Sequence, residues 1–469
     1  MSLFCKNTST FKKGGVHPEE NKITSEIATR AAALPKQVVL PLSQHIGAPA
    51  KPVVQKGDKV KVGTLIAEAG GFVSAPIFSS VSGTVVKVDT AWDASGYKRP
   101  AIYIDVEGDV WEDNIDRSEK LEKLSDHPEL TSEEIVNRVR ANGVVGMGGA
   151  CFPTSIKLTP PPTAKATCVI INGVECEPYI TADYRLMMEH PDEILVGVEL
   201  LMKAVNVNEG YIGIETNKPK AIALLQNKAK AYSNIKIVPL DCKYPQGGEK
   251  QLVDAVIHRE VPAPPAIPVN VGAVVQNVGT AYAVYQAVMK NKPLFERYVT
   301  VTGKQLHAPG NFLVRMGTPF SQLIEACGGL PEGDNKILAG GPMMGKAVTT
   351  TDVTVVKGTN SVTVLTNTDA KRKEAQNCIR CGKCVSACPM GLEPYLLAQL
   401  SSLKDWERAE KEDIPSCIEC GSCQFTCPAH RPLLDNIRMG KGTVMGIIRE
   451  RAAAAKAAAD AAKAKEEKK

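Results

Sequence analysis

Short runs of alternating apolar and polar residues follow a polar, irregular start over residues 1–36. Alternation over a few positions, bounded by turn residues, is typical of half-buried β-strands. The runs are Val38–Leu40, Lys59–Val62, Thr84–Val88 and Ala101–Ile104. Glycine-containing turns separate them, so residues 37–112 are predicted to form a small all-β domain.

Helical and strand patterns alternate between residues 125 and 292. The residues Thr131-Ser132-Glu133-Glu134 match a capping box, and the helix that they begin should end at Asn142-Gly143. Further helices are predicted at Ile194–Ala204 and Lys218–Tyr232, and strands at Tyr211–Glu215 and Ile235–Val238. This alternation indicates an α/β domain.

The last part of the chain has three patterns. Strand-like runs occupy residues 294–348 and continue to Asn367, and a cysteine-rich segment lies within residues 365–440. Residues 450–469 are almost only Ala, Lys, Asp and Glu. Alanine favours helix, but this tail has no apolar stripe with which to dock. We therefore predict a solvated, fraying helix or disorder there.

Length and composition exclude several classes of protein. A chain of 469 residues is too long for one core and suggests about three domains. The net charge of +5 is too small to imply nucleic-acid binding. We expect neither a membrane-spanning helix nor a signal peptide, because long uninterrupted apolar stretches are absent from the sequence. Scattered free cysteines favour a reducing compartment, the cytosol.

Eight of the 14 cysteines form two copies of the pattern C-x2-C-x2-C-x3-C-P. This run binds 4Fe–4S clusters in bacterial two-cluster ferredoxins, where the fourth cysteine of each run ligates the other cluster. We name the predicted sites cluster one and cluster two. Cluster one would use Cys378, Cys381, Cys384 and Cys427, and cluster two would use Cys417, Cys420, Cys423 and Cys388. A zinc site would need one compact group of four ligands, and a disulfide framework is typical of small secreted domains, so neither fits.

A glycine-rich loop follows the first predicted helix of the α/β domain. It contains Gly146, Gly148 and Gly149, and ends Cys151-Phe152-Pro153-Thr154. Backbone N–H groups of such a loop can close on a phosphate, and a flat ring can lie against its main chain. A tight turn without a ligand is the alternative, and the spacing matches neither the Rossmann fingerprint nor a P-loop.

Three later segments accompany this loop. They are Asn172-Gly173-Val174-Glu175-Cys176-Glu177-Pro178, Tyr244-Pro245-Gln246-Gly247-Gly248-Glu249, and Val275-Gln276-Asn277-Val278. In this order, the four segments resemble the flavin- and NADH-binding subunit of respiratory complex I. The resemblance implies that they enclose FMN, with NADH stacked on it.

The resemblance also implies roles for individual residues. Glycines would lie along the FMN, Lys157 near its phosphate, and Asn172 and Glu175 at the ring or ribityl chain, while Phe152, Glu177 and Glu249 would meet the nicotinamide nucleotide. The implied cofactor-binding residues are Gly146, Gly148, Gly149, Phe152, Lys157, Asn172, Glu175, Glu177, Gly247, Gly248, Glu249, Gln276 and Asn277. No acid–base catalyst is assigned. The chain departs from the complex I pattern at Met147, Val174, Gly248 and Gln276.

The other domains also resemble known folds. Residues 37–112 are similar to the barrel-sandwich hybrid of lipoyl and biotinyl carriers, but the carrier lysine is absent from the segment beginning Ala69-Gly70-Gly71-Phe72. Residues 294–348 resemble the soluble-ligand-binding β-grasp domain. We therefore expect a multidomain α/β and α+β protein: a barrel-sandwich hybrid, a flavin-binding α/β domain at 125–292, a β-grasp domain and a helical two-cluster ferredoxin-like domain.

All these parts in this order resemble one family, the C subunits of the Rnf ion-translocating ferredoxin:NAD oxidoreductases. The motif Gly14-Gly15-Val16-His17-Pro18 adds to the likeness. The family implies a peripheral subunit on the cytoplasmic face of the membrane, which passes electrons between NAD(H), FMN and two clusters. Its partners would include an iron–sulfur subunit and integral membrane subunits. Two alternatives are a cobalamin reductase of bacterial microcompartments and an iron–sulfur adaptor that has lost its flavin, as the Val174 departure suggests.

Overall fold

The computed structural model describes residues 8–466, with side chains as far as residue 458. The ends of the predicted N-terminal extension and of the tail, residues 1–7 and 467–469, lie outside this range. No helix between residues 8 and 466 combines the length and the apolar character that a membrane crossing needs.

A two-sheet β domain follows the N-terminal segment, whose short strand β1 is Arg30–Ala31. Its strands are β2 (Gln37–Pro41), β3 (Lys51–Pro52), β4 (Lys59–Val60), β5 (Leu65–Glu68), β6 (Ile77–Phe78), β7 (Ser82–Trp92) and β8 (Lys98–Gly108). The sheets have the orders β2-β8-β7-β4 and β3-β5-β6. Val38 lies opposite Ile104 in the antiparallel pair of β2 and β8, and both are fully buried. The predicted alternation therefore forms the inner face of this domain.

The flavin-binding domain, as predicted, is an α/β domain around a parallel sheet. Its helices are α1 (Ser132–Ala141), α2 (Thr154–Lys157), α3 (Ala182–Glu189), α4 (Pro191–Ala204), α5 (Pro219–Lys228), α6 (Glu249–Ile257) and α7 (Val278–Met289). Its strands are β9 (Cys168–Asn172), β10 (Gly210–Glu215), β11 (Ile235–Leu240) and β12 (Ala273–Asn277), in the order β11-β10-β9-β12. Short 3-10 helices occur at Leu124–Asp126, Ala229–Ala231 and Pro268–Val271. The capping box at Thr131 is present and begins α1.

The central strands of this sheet are apolar because helices cover both of their faces. Cys168 to Ile171 in β9 are all buried. The first polar residue of β9, Asn172, comes at its carboxyl end and lies in register with Asn277 of β12. Ligands of open α/β sheets bind at this edge, and two of the predicted site residues, Asn172 and Asn277, lie there.

The β-grasp sheet takes strands from outside residues 294–348. It contains β13 (Glu296–Thr302), β14 (Gly310–Arg315), β15 (Asn335–Ala339), β16 (Lys346–Ala347) and β17 (Ser361–Thr366), with helix α8 (Phe320–Glu325). The order β1-β14-β13-β17-β15-β16 puts β17 in the centre and adds β1 from the N-terminal segment. Sequence patterning could not indicate this, because pairing between distant strands leaves no local signal.

The C-terminal domain is helical. Its elements are α9 (Asn367–Ala370), α10 (Lys383–Ser386), α11 (Pro394–Ser402), α12 (Trp406–Lys411), α13 (Ser422–Phe425) and α14 (Leu433–Glu466), with a 3-10 helix at Ile414–Ser416. Each cysteine motif turns into its short helix at a left-handed glycine, Gly382 or Gly421. Helix α14 continues through the predicted tail as far as Glu466, and residues 449–458 are exposed on it.

Residues 8–31 cross three domains, and we call them the N-terminal strap. Ser9 bridges to the edge strand β11, and Val16 pairs with Tyr244. Gly15 donates its N–H to the carbonyl of Ala387 at 3.0 Å, beside the cluster cysteine Cys388. The segment predicted as an irregular extension is therefore part of the folded body.

Candidate flavin and cluster sites

Asn172 and Asn277 organise the carboxyl edge of the parallel sheet. The Asn277 side chain donates to Asp183 at 2.7 Å and to the Asn172 carbonyl at 3.3 Å, and its oxygen caps α7 through Gly279. The Asn172 amide donates to the Gly247 carbonyl at 2.8 Å. Three of the four segments predicted from the sequence therefore meet at one edge.

The glycine-rich loop joins them from the other side. A side chain at Gly148 would lie 3.3 Å from Asn277, whereas Gly149 has φ +111° and open space around its Cα. The Gly146 N–H donates to the carbonyl of Phe152 at 2.8 Å, which closes the loop on itself. Glycine is required here because the loop is both left-handed and closely packed.

Other domains hold this loop rigid. The Lys357 ammonium, in the β-grasp domain, donates to the carbonyls of Gly143 and Pro76, both at 2.7 Å. Burial lowers the pKa of Lys357 to about 7. The Met147 N–H donates to the Thr280 hydroxyl at 2.9 Å. The loop is therefore clamped between the barrel-sandwich, flavin-binding and β-grasp domains.

We call the carboxyl edge of the parallel sheet, together with the glycine-rich loop, the flavin cleft. Lys157 and Glu249 form an ion pair beside its strand β12. Their Nζ and Oε1 atoms are 2.6 Å apart, and Lys157 also donates to the Val275 carbonyl at 3.2 Å. Glu249 is the first residue of α6, directly after Gly248. Both side chains are part-exposed, so the lysine stands where it could contact a phosphate group.

Glu175 faces the protein rather than the open part of the cleft. Its two oxygens accept the N–H groups of Asp183 and Tyr184 at 2.7 and 3.2 Å, at the start of α3. Its backbone is left-handed, with φ +49°. Burial raises the pKa of Glu175 to about 7, although the nearby Lys22 charge lowers it. This carboxylate secures the turn that follows β9.

Glu177 connects two domains. Its oxygens accept the N–H groups of Met343 and Met344 at 3.1 and 2.6 Å. These residues belong to the β-grasp segment 340–345, and a side chain at Gly341 would come within 2.4 Å of the Glu177 carboxylate. Burial raises the pKa of Glu177 to about 7, and the two N–H donors lower it. In this structure both of its oxygens are engaged by the β-grasp domain.

The cluster-two cysteines surround one cavity. Cys388 lines it together with Cys417, Cys420 and Cys423. Apolar residues complete its wall, among them Leu392, Leu397, Leu434 and Ile437. Backbone N–H groups of Leu392 and Glu419 reach the sulfurs of Cys388 and Cys417, both at 3.4 Å. The arrangement combines the fourth cysteine of the first motif with the first three of the second.

The cluster-one cysteines lie nearer the surface. Cys378 and Cys381 are exposed. Burial raises the pKa of Cys384. Cys384 and Cys427, the fourth cysteine of the second motif, pack against the same buried core of the helical domain. No group of three or more His, Cys, Asp or Glu side chains in the described residues is arranged to hold a single metal ion.

Family comparisons agree with this architecture. The RnfC barrel sandwich hybrid domain matches residues 9–109, and the Nuo51 FMN-binding domain matches residues 139–286. The SLBB domain matches residues 298–347. Two families of 4Fe-4S dicluster domain match residues 370–428 and 346–393.

Curated relatives are similar over most of the chain. The C subunit of the proton-translocating ferredoxin:NAD(+) oxidoreductase complex of Clostridium ljungdahlii is 44% identical over 402 residues, which cover 85% of this chain and 86% of that protein. The chain belongs to this family of C subunits. The corresponding protein of the Na(+)-translocating complex of Acetobacterium woodii is 42% identical over 434 residues, 92% of this chain and 97% of that protein. That of the ion-translocating oxidoreductase complex of Rhodobacter capsulatus is 43% identical over 449 residues, 94% and 84% of the two chains.

Membership confirms the fold class, the family and the FMN and 4Fe–4S cofactors expected from the sequence. Two buried polar atoms of the flavin cleft are also consistent with a bound flavin nucleotide. The Gln276 side-chain nitrogen and the Thr154 hydroxyl are buried, and neither has a hydrogen-bond partner among the described residues. Both belong to segments that line the cleft, and a ligand with phosphate and hydroxyl groups would supply the missing partners.

Sequence reasoning missed residues of this family member that act through the backbone. Lys22 of the strap donates to the carbonyls of Glu175, Glu177 and Ile180, at 2.7, 2.8 and 2.7 Å. It thereby holds the turn that carries both glutamates. A single lysine in a polar, irregular segment has no motif that could have revealed this role. The role of Thr280, whose hydroxyl accepts the Met147 N–H, could have been predicted from its position. It lies three residues after the predicted site residue Asn277, on the first turn of α7.

Proposed function

We propose that this chain is the NAD(H)-linked electron-transfer subunit of a membrane-bound ion-translocating ferredoxin:NAD oxidoreductase, placed peripherally on the cytoplasmic face. One observation carries the proposal: the turns of the flavin cleft pack directly on the loop that holds cluster two. The Tyr244 hydroxyl donates to the Cys420 carbonyl at 2.8 Å. Membrane subunits and an iron–sulfur subunit would be the partners, and ion transport would belong to them.

The contact between the flavin cleft and the cluster-two loop is apolar and buried. Val16, Tyr244, Ala387 and Cys420 form a buried cluster, against which Cys176, Met343 and Ile418 pack. Cys176 also packs against Gly247 of the flavin-binding domain, where an added side chain would lie 3.3 Å from its sulfur. The sites therefore follow one another in the order flavin cleft, cluster two, cluster one, with cluster one at the surface.

For the flavin we propose the residues at the sheet edge and on the glycine loop. They are Gly146, Gly148, Gly149, Lys157, Asn172, Gly247, Gly248, Gln276 and Asn277, with Glu175 acting through the turn that it secures. When bound, FMN accepts a hydride from NADH and passes electrons singly to iron–sulfur clusters. The protein supplies stacking surface, phosphate contacts and exclusion of water. Phe152 and Glu249, at the open side, are proposed to meet the nicotinamide nucleotide.

A spectrum of the purified chain tests the function. We expect flavin and 4Fe–4S absorption before NADH is added, and bleaching of both afterwards. A chain that carries clusters but stays free of flavin after reconstitution would favour the adaptor alternative and contradict the proposal.

Replacement of Lys157 by alanine should weaken FMN retention. A hydrogen bond to a charged group contributes about 1.5–3 kcal/mol, so the Kd for FMN should rise roughly ten- to a hundredfold. The measurement is flavin released on dilution, followed by fluorescence. The exposed Lys165 provides a control variant, Lys165→Ala. Equal retention by the two variants would place the phosphate elsewhere.

Replacement of Phe152 by alanine should weaken NADH binding and leave FMN and iron content unchanged. Aromatic stacking on a base contributes about 1–3 kcal/mol, which corresponds to roughly a five- to a hundredfold rise in the NADH concentration that half-saturates flavin reduction. Stopped-flow reduction of the flavin measures it. Phe72→Ala, at an exposed position of the barrel-sandwich domain, is the matched control, and identical NADH dependence of the two variants would exclude Phe152 from the nucleotide site.

A further inference from the structure

The two cysteine motifs form equivalent loops, and other domains of the chain pack against the loop of the second motif. In the second motif, a side chain at Gly421 would lie 2.8 Å from the Met343 carbonyl. Ile418 packs into the buried cluster that contains Tyr244 and Cys420. The glycine and the isoleucine of this loop are therefore covered by the flavin-binding and β-grasp domains.

The equivalent face of the first motif is open. Ile379 corresponds to Ile418, and 68% of its surface is exposed. Gly382 corresponds to Gly421, and a side chain built there would meet nothing within 4 Å. Residues 371–383 are all exposed, including Cys378 and Cys381. Both motifs therefore present the same kind of face. Among the described residues, other domains cover the face of the second motif and leave that of the first motif open.

The open face also carries an excess of positive charge. Its cations are Lys371, Arg372, Lys373, Arg380 and Lys383, against the single acid Glu374. Lys371 and Arg372 are paired, with Asp334 and Asp435. Lys373, Arg380 and Lys383 make no ion pair with any described residue. At the position of the covered loop that is equivalent to Arg380 stands Glu419. It is paired with Arg438 and Lys441, at 3.3 and 3.0 Å.

We propose that the face formed by residues 371–383 is the docking site for an acidic iron–sulfur protein that exchanges single electrons with cluster one. This inference rests on the proposed function, because it requires cluster one to be the outer end of the electron path. The partner would place an apolar residue on Ile379 and a backbone carbonyl against Gly382, as Met343 does at the inner loop. Its carboxylates would meet Lys373, Arg380 and Lys383.

The exchange itself needs no bond or proton. One electron leaves the reduced cluster of the partner and enters cluster one, so that the partner is oxidised and cluster one is reduced by one electron. The protein surface therefore acts only by orientation and affinity. Complementary charge chiefly accelerates association and makes it dependent on salt.

The test uses the purified full-length chain with its cofactors, and an acidic two-cluster ferredoxin as the probe. Binding of oxidised ferredoxin and the rate at which reduced ferredoxin reduces the chain are measured from low to high ionic strength. The triple variant Lys373→Glu, Arg380→Glu, Lys383→Glu should weaken binding and slow reduction at least about tenfold at low salt, with the difference vanishing at high salt. The exposed Lys56, Lys98 and Lys230 of other domains, changed together to Glu, give a control of equal charge.

Three results would overturn the proposal: ferredoxin binding to the wild type without salt dependence, no loss in the triple variant, or an equal loss in the control. Reduction by NADH and the flavin and iron contents report separately on the proposed function, which can hold while the docking proposal fails. Ile379→Ser adds a second test. It should weaken binding at high salt as well, since the apolar contact is not screened, and unchanged binding there would contradict the apolar half of the proposed face.

Discussion

Replacement of Cys388 by alanine is expected to destroy cluster two and to spare the cluster of its own motif. Cys388 lies with Cys417, Cys420 and Cys423 around one cavity, 29 or more residues away from them along the chain. The variant should keep roughly half of its iron, since each site holds one 4Fe–4S cluster. NADH should still bleach the flavin. Electrons should no longer reach cluster one, because the inner site of the path is lost.

Iron analysis and electron paramagnetic resonance of the NADH-reduced and dithionite-reduced protein make this measurable. Cys427→Ala is the mirror variant and should remove the exposed cluster while the inner one remains reducible by NADH. Cys327→Ala, a buried thiol of the β-grasp domain, controls for the loss of a cysteine as such. Loss of the first-motif cluster in Cys388→Ala would refute the exchanged ligands.

Replacement of Glu177 by glutamine is expected to slow electron transfer from the flavin site to cluster two, and to leave the reduction of flavin by NADH unchanged. The carboxylate accepts the N–H groups of Met343 and Met344, and the adjoining Met343 carbonyl contacts Gly421 of the cluster-two loop. The glutamine side chain has only one oxygen, which can accept one of these two N–H groups. Its NH2 group would face the other N–H group, so that hydrogen bond is lost. The loss of about 1.5–3 kcal/mol should lower the equilibrium constant for docking of segment 340–345 roughly ten- to a hundredfold.

Stopped-flow absorbance separates the two steps, and hydrogen exchange at residues 340–345 reports on the docking. Gly341→Ala should have the same effect with Glu177 intact, because its methyl group would press on the carboxylate. The exposed Glu332 of the same domain gives the control variant Glu332→Gln. If Glu177→Gln instead raised the NADH requirement of flavin reduction, Glu177 would contact the nucleotide, as the likeness to complex I implies.

Features encoded by local spacing were predictable from the sequence. The cysteine runs indicated clusters because four ligands within eleven residues constrain one loop, whatever surrounds it. The capping box at Thr131 predicted the start of α1, since its hydrogen bonds form within one helical turn. The α/β patterning of residues 125–292 was likewise local, since the period of apolar residues differs between helices and strands.

Only the tertiary structure decided which groups satisfy the buried carboxylates and amides. Glu177 is a conspicuous acid in a motif, but its partners are two N–H groups of residues 343 and 344, and no pattern near either segment encodes that contact. Lys22 and the central strand β17 act in the same way, through backbone groups that every residue carries. The open face at Ile379 differs from the covered one at Ile418 for the same reason. The two motifs share their cysteine spacing, the isoleucine and the glycine, and the packing of distant domains against one of them sets the exposure of these residues.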